Sequence, residues 1–168
     1  KKGLDLLIKS FAKIKSKKNY ILIISGPIEN QNFKRKLDKC IEANNLKNKI
    51  FFTGFVGGNN KWNFIKFSEF TVLPSYGENF GVSVVESLSM GKPVILSNKV
   101  GLSKAIKKYS CGIIHYLNIK SLSSSIENAI NFSKNKKMKL SKASITCFNQ
   151  NFNLKLNKSF SNWIKNNK

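Results

Sequence analysis

The apolar residues of this 168-residue chain follow two alternating patterns. Short continuous runs rich in branched and aromatic residues, such as residues 20–24, are typical of buried strands. Between these runs, apolar residues recur at three- and four-residue spacing, which is typical of amphipathic helices. The runs predict strands over residues 20–25, 49–53, 70–73, 93–97 and 112–115. The spacing predicts helices over residues 3–16, 31–43, 61–67, 81–90, 103–108 and 122–132.

Strands that alternate with helices at short spacing predict right-handed crossovers and hence an α/β fold. We expect a doubly wound parallel sheet with helices on both faces, forming a Rossmann-like domain over residues 1–132. Residues 133–168 are predicted to form a lysine-rich helical extension that packs on this domain or on one outside this chain. Because the pattern opens on a helix rather than on a strand, we also expect an N-terminally truncated domain of a longer protein. The extension carries an apolar stripe of Phe148, Phe152, Leu156, Phe160, Trp163 and Ile164.

The net charge of +22 raises the question of a nucleic-acid partner. Arg35 is the only arginine among the 30 basic residues, although the forked guanidinium of arginine is the group best suited to phosphates and base edges. Nucleic-acid binding is therefore not favoured. A strong positive field attracts any anion, so phosphorylated ligands and peripheral contact with an anionic membrane surface stay open, beside a simple coat of solvated lysines.

Membrane and redox signals are weak in this sequence. No apolar run approaches the roughly 20 residues of a membrane-spanning helix, and no signal-peptide pattern is visible. We therefore expect a cytoplasmic protein, with peripheral contact at the inner face of the membrane left open.

The cysteines Cys40, Cys111 and Cys147 are odd in number and far apart, which predicts plain thiols rather than a disulfide framework or a zinc site.

The segment PSYGENFGVSVVESLSMGKPV, residues 74–94, carries the candidate chemistry. It leads from the end of a predicted strand through a loop into a helix, and ligands of doubly wound sheets bind at such strand ends. The helix start at Asn79 to Val82 offers unpaired N–H groups to a phosphate, and Gly81 permits close approach of the backbone. Two of the eight acidic residues, Glu78 and Glu86, flank this loop. Since carboxylates accept hydrogen bonds from hydroxyl groups, the combination indicates a nucleotide sugar.

This segment resembles the Glu-x7-Glu signature of the group 1 (family four) retaining glycosyltransferases, with Ser87 where alanine is usual. Residues 2–7 (KGLDLL), 25–27 (SGP) and 52–56 (FTGFV) resemble further segments of that family, so the likeness covers residues 1 to about 132. The resemblance implies the nucleotide-sugar-binding half of a GT-B enzyme that transfers a hexosyl group with retention. It also implies a glycan or lipid-linked acceptor held with an N-terminal domain outside this chain, without which this chain would be inactive.

The resemblance further implies a role for each matching position. Glu78 would be the catalytic carboxylate that contacts the transferred sugar, Glu86 would hold the ribose hydroxyls, and Lys2 would pair with the donor diphosphate. The family's usual acidic residue near the next strand is replaced by Lys104, so donor contacts there are not carried over. The remaining donor-binding positions would be Gly54, Phe55 and Val56 beside the nucleobase, and Asn79, Phe80, Gly81 and Val82 beside the diphosphate and sugar.

The sequence contains no Walker-type phosphate loop and no spacing typical of a metal site. We therefore expect no cofactor and metal-independent transfer, in which a helix dipole and basic residues stabilise the leaving diphosphate. Two other interpretations stay open: a nucleotide-sugar epimerase of the same architecture, which the Glu-x7-Glu spacing disfavours, and a non-catalytic basic binding module. Tyr76 is expected to pack the loop, and His115 is expected to be structural.

Overall fold

The structure is a computed structural model that describes residues 1–153. Within that range, strands and helices alternate as the hydrophobic pattern predicts. The strands are β1 (Leu22–Ser25), β2 (Ile50–Gly54), β3 (Thr71–Leu73), β4 (Val94–Ser97) and β5 (Gly112–His115). The helices are α1 (Leu4–Phe11), α2 (Gln31–Ala43), α3 (Gly58–Phe67), α4 (Val82–Ser89), α5 (Ser103–Tyr109), α6 (Ile119–Asn131) and α7 (Lys134–Asn151).

All strand pairings among the described residues are parallel, but they form two ladders rather than one continuous sheet. β1 pairs with β2, with Leu22 opposite Ile50. β4 lies between β3 and β5, with Ser97 opposite His115. In parallel ladders the carboxyl ends of neighbouring strands lie at the same edge. The loops that follow β3, β4 and β5 are therefore brought together.

Helices cover both faces of the strands, as β4 shows most clearly. Ile95 packs into one core with residues of α1, α2 and α6, whereas Val94 and Leu96 pack into a second core with residues of α4, α5 and α7. Successive strand residues point to opposite faces, so this division follows from the strand geometry. Because Ile24, Ile50 and Ile95 share the first core, one helical layer underlies both ladders. The doubly wound α/β prediction is confirmed.

Three helices differ from their predictions by three residues or more at one end. The first was expected over residues 3–16, but α1 ends at Phe11. The backbone N–H of Lys15 donates instead to the Glu127 carboxylate on α6 (3.0 Å), and Ile14 packs against the first core from a non-helical segment. A bond between elements thus replaces the last helical turn. α3 begins at Gly58 and α6 begins at Ile119, each three residues before its predicted start.

α7 packs against α4 and α5 through Ala143, Cys147 and Phe148, so the start of the predicted extension covers this domain. The proposed boundary at residue 132 falls between α6 and α7. Phe148 and Phe152 of the predicted apolar stripe pack against the second core. The other four stripe residues lie outside the described residues. Across residues 1–153, no helix has the length and hydropathy needed to cross a membrane.

Candidate nucleotide-sugar site

The start of the loop that joins β3 to α4 is held against the beginning of the chain. The N–H of Tyr76 donates to the carbonyl of Lys1 (3.0 Å), which joins the beginning of the chain to the end of β3. The hydroxyl of Tyr76 also lies 3.4 Å from the Asp5 carboxylate on α1. These two contacts bring Lys2 beside a loop that follows it by more than seventy residues. Tyr76 is 48% exposed, so its packing role stays a prediction.

The position of Glu78 is set by the loop that follows β4. Glu78 forms an isolated parallel bridge with Val100, and its carbonyl accepts a hydrogen bond from the N–H of Gly101 (2.9 Å). A Cβ atom added to Gly101 would lie 2.2 Å from the carbonyl oxygen of Asn79. Only glycine permits this approach, so the two loops lie in direct backbone contact.

The side chain of Glu78 forms an ion pair with Lys2. The hydrogen bond from Lys2 is the main cause that lowers the pKa of Glu78, partly opposed by its desolvation. The carboxylate is therefore ionised at neutral pH and can accept hydrogen bonds from hydroxyl groups. Glu78 is 20% exposed and Lys2 is 61% exposed, so the lysine has the greater freedom to turn toward a further anion.

The N-terminus of α4 lies directly after Glu78. Its N-cap residue is Gly81, which has a left-handed backbone (φ 76°) and provides no capping side chain. The first amides of a helix have no intrahelical partner and carry a partial positive charge, which suits an anionic group. Asn79, Phe80 and Val82 are exposed around this turn. The ring of Phe80 contacts Phe152 edge-on, with 5.9 Å between ring centroids, and this contact joins the loop to the end of α7.

Glu86 lies further along α4 and is partly buried, with 22% of its side chain exposed. Its Oε1 accepts a hydrogen bond from Nζ of Lys61 on α3 (2.6 Å). Lys61 also lies over the ring of Trp62, 4.8 Å from its centroid. The two acidic residues of the signature therefore each hold one lysine, and each pair joins two elements that are distant in sequence.

The predicted nucleobase segment follows β2 and leads into α3. Gly54 has a left-handed backbone (φ 68°), and its carbonyl accepts from the N–H of Gly26 (2.8 Å), so the ends of β1 and β2 are held together. Phe55 is 80% exposed, whereas Val56 is half-buried. The structure connects this segment to Glu86 through α3 and Lys61.

Sequence reasoning missed Lys61 and Gly101. Lys61 is one lysine in a chain with 30 basic residues, so nothing in the sequence singled it out. Gly101 lies in the segment that was compared with the family pattern, yet only the structure shows its contact with Asn79. Lys104, the departure from that pattern, is an exposed residue in the first turn of α5.

His115 is fully buried at the end of β5, as expected of a structural residue. Its Nδ1 lies 2.9 Å from the carbonyl of Tyr116, and burial lowers the pKa of the imidazole. Its Nε2 has no partner among the described residues. Within residues 1–153, no three His, Cys, Asp or Glu side chains are grouped as metal ligands would be. Metal-independent transfer stays a prediction.

The sequence comparison with known families decides the classification. The family described as glycosyl transferases group 1 matches residues 1–146 of the chain. The chain belongs to this family. The resemblance noted on the Glu78–Glu86 segment is confirmed at the level of the family.

This group 1 chain is similar to several named glycosyltransferases. It is 32% identical over 115 residues to the uncharacterized glycosyltransferase MJ1607 of Methanocaldococcus jannaschii, an alignment that covers 68% of the chain and 29% of the relative. It is 31% identical over 78 residues to the alpha-D-kanosaminyltransferase of Streptomyces kanamyceticus, covering 46% of the chain and 20% of the relative. The chain thus spans less than a third of the length of these relatives.

Several solved structures share the fold of this group 1 chain. A glycosyltransferase from Rickettsia africae ESF-5 superposes with a TM-score of 0.85 at 24% identity, covering 99% of this chain and 45% of that one. The Anabaena protein Alr3699/HepE, crystallised with UDP and glucose, superposes with a TM-score of 0.83 at 20% identity, covering 98% and 45%. At these identities the likeness shows the fold alone.

Proposed function

We propose that this chain is the donor-binding part of a retaining glycosyltransferase that takes a hexosyl group from a nucleoside diphosphate sugar. The acceptor, a glycan or a lipid-linked molecule, would be bound with the help of a further domain. The observation that carries the proposal is the ion pair between Glu78 and Lys2 beside the uncapped N-terminus of α4. Glu78 would offer its carboxylate to sugar hydroxyls. Beside it, Lys2 and the N-terminus of α4 would offer positive charge to a diphosphate.

The diphosphate would bind between Lys2 and the first amides of α4. Both groups are positive, and oriented amides stabilise a developing anion without first reorganising. When the bond between the anomeric carbon and the phosphate oxygen breaks, the nucleoside diphosphate gains charge at this position. Lys2 and the amides at Gly81 and Val82 would stabilise it. The acceptor hydroxyl oxygen would then form the new bond to the anomeric carbon, and its proton would pass to the departing diphosphate.

Glu78 would act on the transferred sugar. The pKa of its carboxylate is lowered by Lys2, so it is anionic when the sugar arrives. It would accept hydrogen bonds from the sugar hydroxyls and favour positive charge at the anomeric carbon. Its backbone bridge to Val100 would keep the carboxylate in place while the diphosphate leaves.

Glu86 would bind the nucleoside through its ribose hydroxyls. It lies on α4, the helix whose start would hold the diphosphate, so diphosphate and ribose would bind along one helix. Phe55 and Val56, after β2, would line the nucleobase. A structural neighbour crystallised with UDP and glucose makes UDP the first nucleotide to test.

Calorimetric titration of the 168-residue chain tests the proposal. We expect UDP or GDP to bind more tightly than inorganic pyrophosphate, because only a nucleotide reaches Glu86 as well as Lys2. Glu86→Ala should weaken nucleotide binding about 10- to 100-fold, as loss of a hydrogen bond to a charged group typically does. Its affinity for pyrophosphate should not fall, because removing a carboxylate only makes the chain more positive.

Glu42→Ala is the matched control. Glu42 also holds a lysine, Lys47, at 2.8 Å, but it lies on α2, away from the loop. Both variants change the net charge by the same amount, so a general electrostatic effect would change the nucleotide affinity of the two variants equally. Equal effects, or nucleotides that bind no better than pyrophosphate, would refute the donor-site assignment.

A further inference from the structure

Lys61 is placed to control the carboxylate of Glu86. Its Nζ lies 2.6 Å from Glu86 Oε1, and the pair joins α3 to α4 across 25 residues of sequence. The lysine side chain is 37% exposed and the glutamate side chain is 22% exposed, so the contact is partly withdrawn from solvent. Partial withdrawal strengthens a charge-assisted hydrogen bond relative to the same pair in open water.

The surroundings limit where Lys61 can move. Its Nζ also lies over the ring of Trp62, so a carboxylate and an aromatic face hold the same cation. α3 itself contains no buried residue, and therefore its own core packing does little to fix its position. The bond to Glu86 is therefore a direct side-chain link from this lightly packed helix to α4.

The bond occupies one carboxylate oxygen, and among residues 1–153 the other oxygen has no hydrogen bond from a lysine. A carboxylate has two oxygens with about four acceptor positions, so Glu86 can accept from Lys61 and from hydroxyl groups at the same time. Lys61 would fix the rotation of the carboxylate and hence the direction of its remaining acceptors. α3 begins just after the segment proposed to line the nucleobase, so this link also sets the distance between base and ribose contacts.

We infer that Lys61 is a positioning residue that orients Glu86 toward the ribose, and that through this bond the site prefers ribonucleotides to 2′-deoxyribonucleotides. The inference rests on the proposed function, because it assigns a ribose to Glu86. Lys61 itself need not touch the nucleotide. It acts by holding Glu86 in the one orientation in which the carboxylate meets the 2′-hydroxyl.

The test compares UDP and GDP, each with its 2′-deoxy form, by calorimetry on the full 168-residue chain. The wild-type chain should bind each ribonucleotide about tenfold more tightly than its deoxy form, the usual effect of one hydrogen bond to a charged group. Lys61→Met should reduce this ratio to about one to three. Lys61→Arg keeps a donor for Glu86 and should retain most of the ratio.

Lys137→Met is the matched control. Lys137 also pairs with a glutamate, Glu69, at 2.6 Å, and its loss removes the same charge. Lys137→Met should slightly weaken the binding of all anions. It should leave the ratio of ribonucleotide affinity to 2′-deoxyribonucleotide affinity at its wild-type value. Circular dichroism of each variant verifies that it has folded.

The outcomes separate the two proposals. If Lys61→Met keeps the wild-type ratio of ribonucleotide to 2′-deoxyribonucleotide affinity, the role of Lys61 is overturned and the donor site is left intact. A wild-type chain that binds UDP and GDP but does not distinguish the deoxy forms would also overturn it, while preserving the diphosphate site. If no nucleotide binds better than pyrophosphate, the proposed function fails, and the role of Lys61 fails with it.

Discussion

Replacing Gly101 by alanine should disrupt the contact that positions Glu78. The new methyl group would lie 2.2 Å from the carbonyl oxygen of Asn79, whereas a carbon and an oxygen normally stay about 3.3 Å apart. The two backbones must therefore separate by about 1 Å. The hydrogen bond from Gly101 N–H to the Glu78 carbonyl, now 2.9 Å, would be lost or greatly weakened.

Two effects set the expected magnitude. Loss of one backbone hydrogen bond costs about 1 kcal/mol. Forcing an extra methyl group into close-packed atoms typically costs about 1–3 kcal/mol. The free energy of unfolding of Gly101→Ala should therefore fall by about 2–4 kcal/mol. At about 2 kcal/mol per molar urea, the middle of the usual range, the unfolding midpoint should fall by roughly 1–2 M.

Urea unfolding followed by circular dichroism measures this change, and Gly77→Ala is the control. Gly77 lies in the same loop, but a Cβ added there would meet no atom within 4 Å. It should change the unfolding free energy by less than about 1 kcal/mol. If the proposed function holds, UDP affinity should fall in Gly101→Ala alone. Equal midpoints for the two variants would show that the loops can separate freely and would refute the steric reasoning.

Two further predictions concern the core. The pKa of buried His115 is lowered, so below about pH 6.5 the unfolded chain binds a proton that the native chain does not. The free energy of unfolding should therefore fall by at most about 1.4 kcal/mol between pH 7.5 and pH 5.5. The fall should be smaller in the His115→Gln variant. Equal urea midpoints for the wild type at the two pH values would contradict this prediction. Leu88→Ala should lower the free energy of unfolding by about 2–5 kcal/mol, because Leu88 is fully buried on α4. Met138→Ala is the control, since Met138 is exposed. If both variants lose the same stability, the described packing of α4 is wrong.

The elements that the sequence predicted well are those whose apolar pattern has one structural solution. The run that ends at Ser97 is buried at every position of β4, as expected of a parallel strand that is covered on both faces. The end of α1 was mispredicted because Ile14 kept the helical spacing while its neighbour Lys15 bonded to Glu127 on another helix. Local periodicity contains no information about such a distant partner.

In the candidate site, too, some residues could be predicted from the sequence and others could not. Glu78 and Glu86 stood out because acidic residues are scarce in this chain and these two flank one loop. The sequence could not predict which lysines they hold, since every segment offers several. Lys2 was proposed for the diphosphate, and only the structure shows that its first partner is Glu78. Pairings of this kind depend on how the elements pack and not on spacing along the chain.

The division into two ladders affects how copies of this chain behave in solution. In the described residues β1 pairs only with β2, and β3 pairs only with β4, so each has one edge whose amides and carbonyls lack a strand partner. Exposed Ile21, Ile23 and Phe51 lie on or beside the two-stranded ladder. Open edges next to apolar side chains invite intermolecular β-pairing, whereas a net charge of +22 opposes close approach of two copies. Salt screens that repulsion, so ionic strength governs whether the chain stays dispersed.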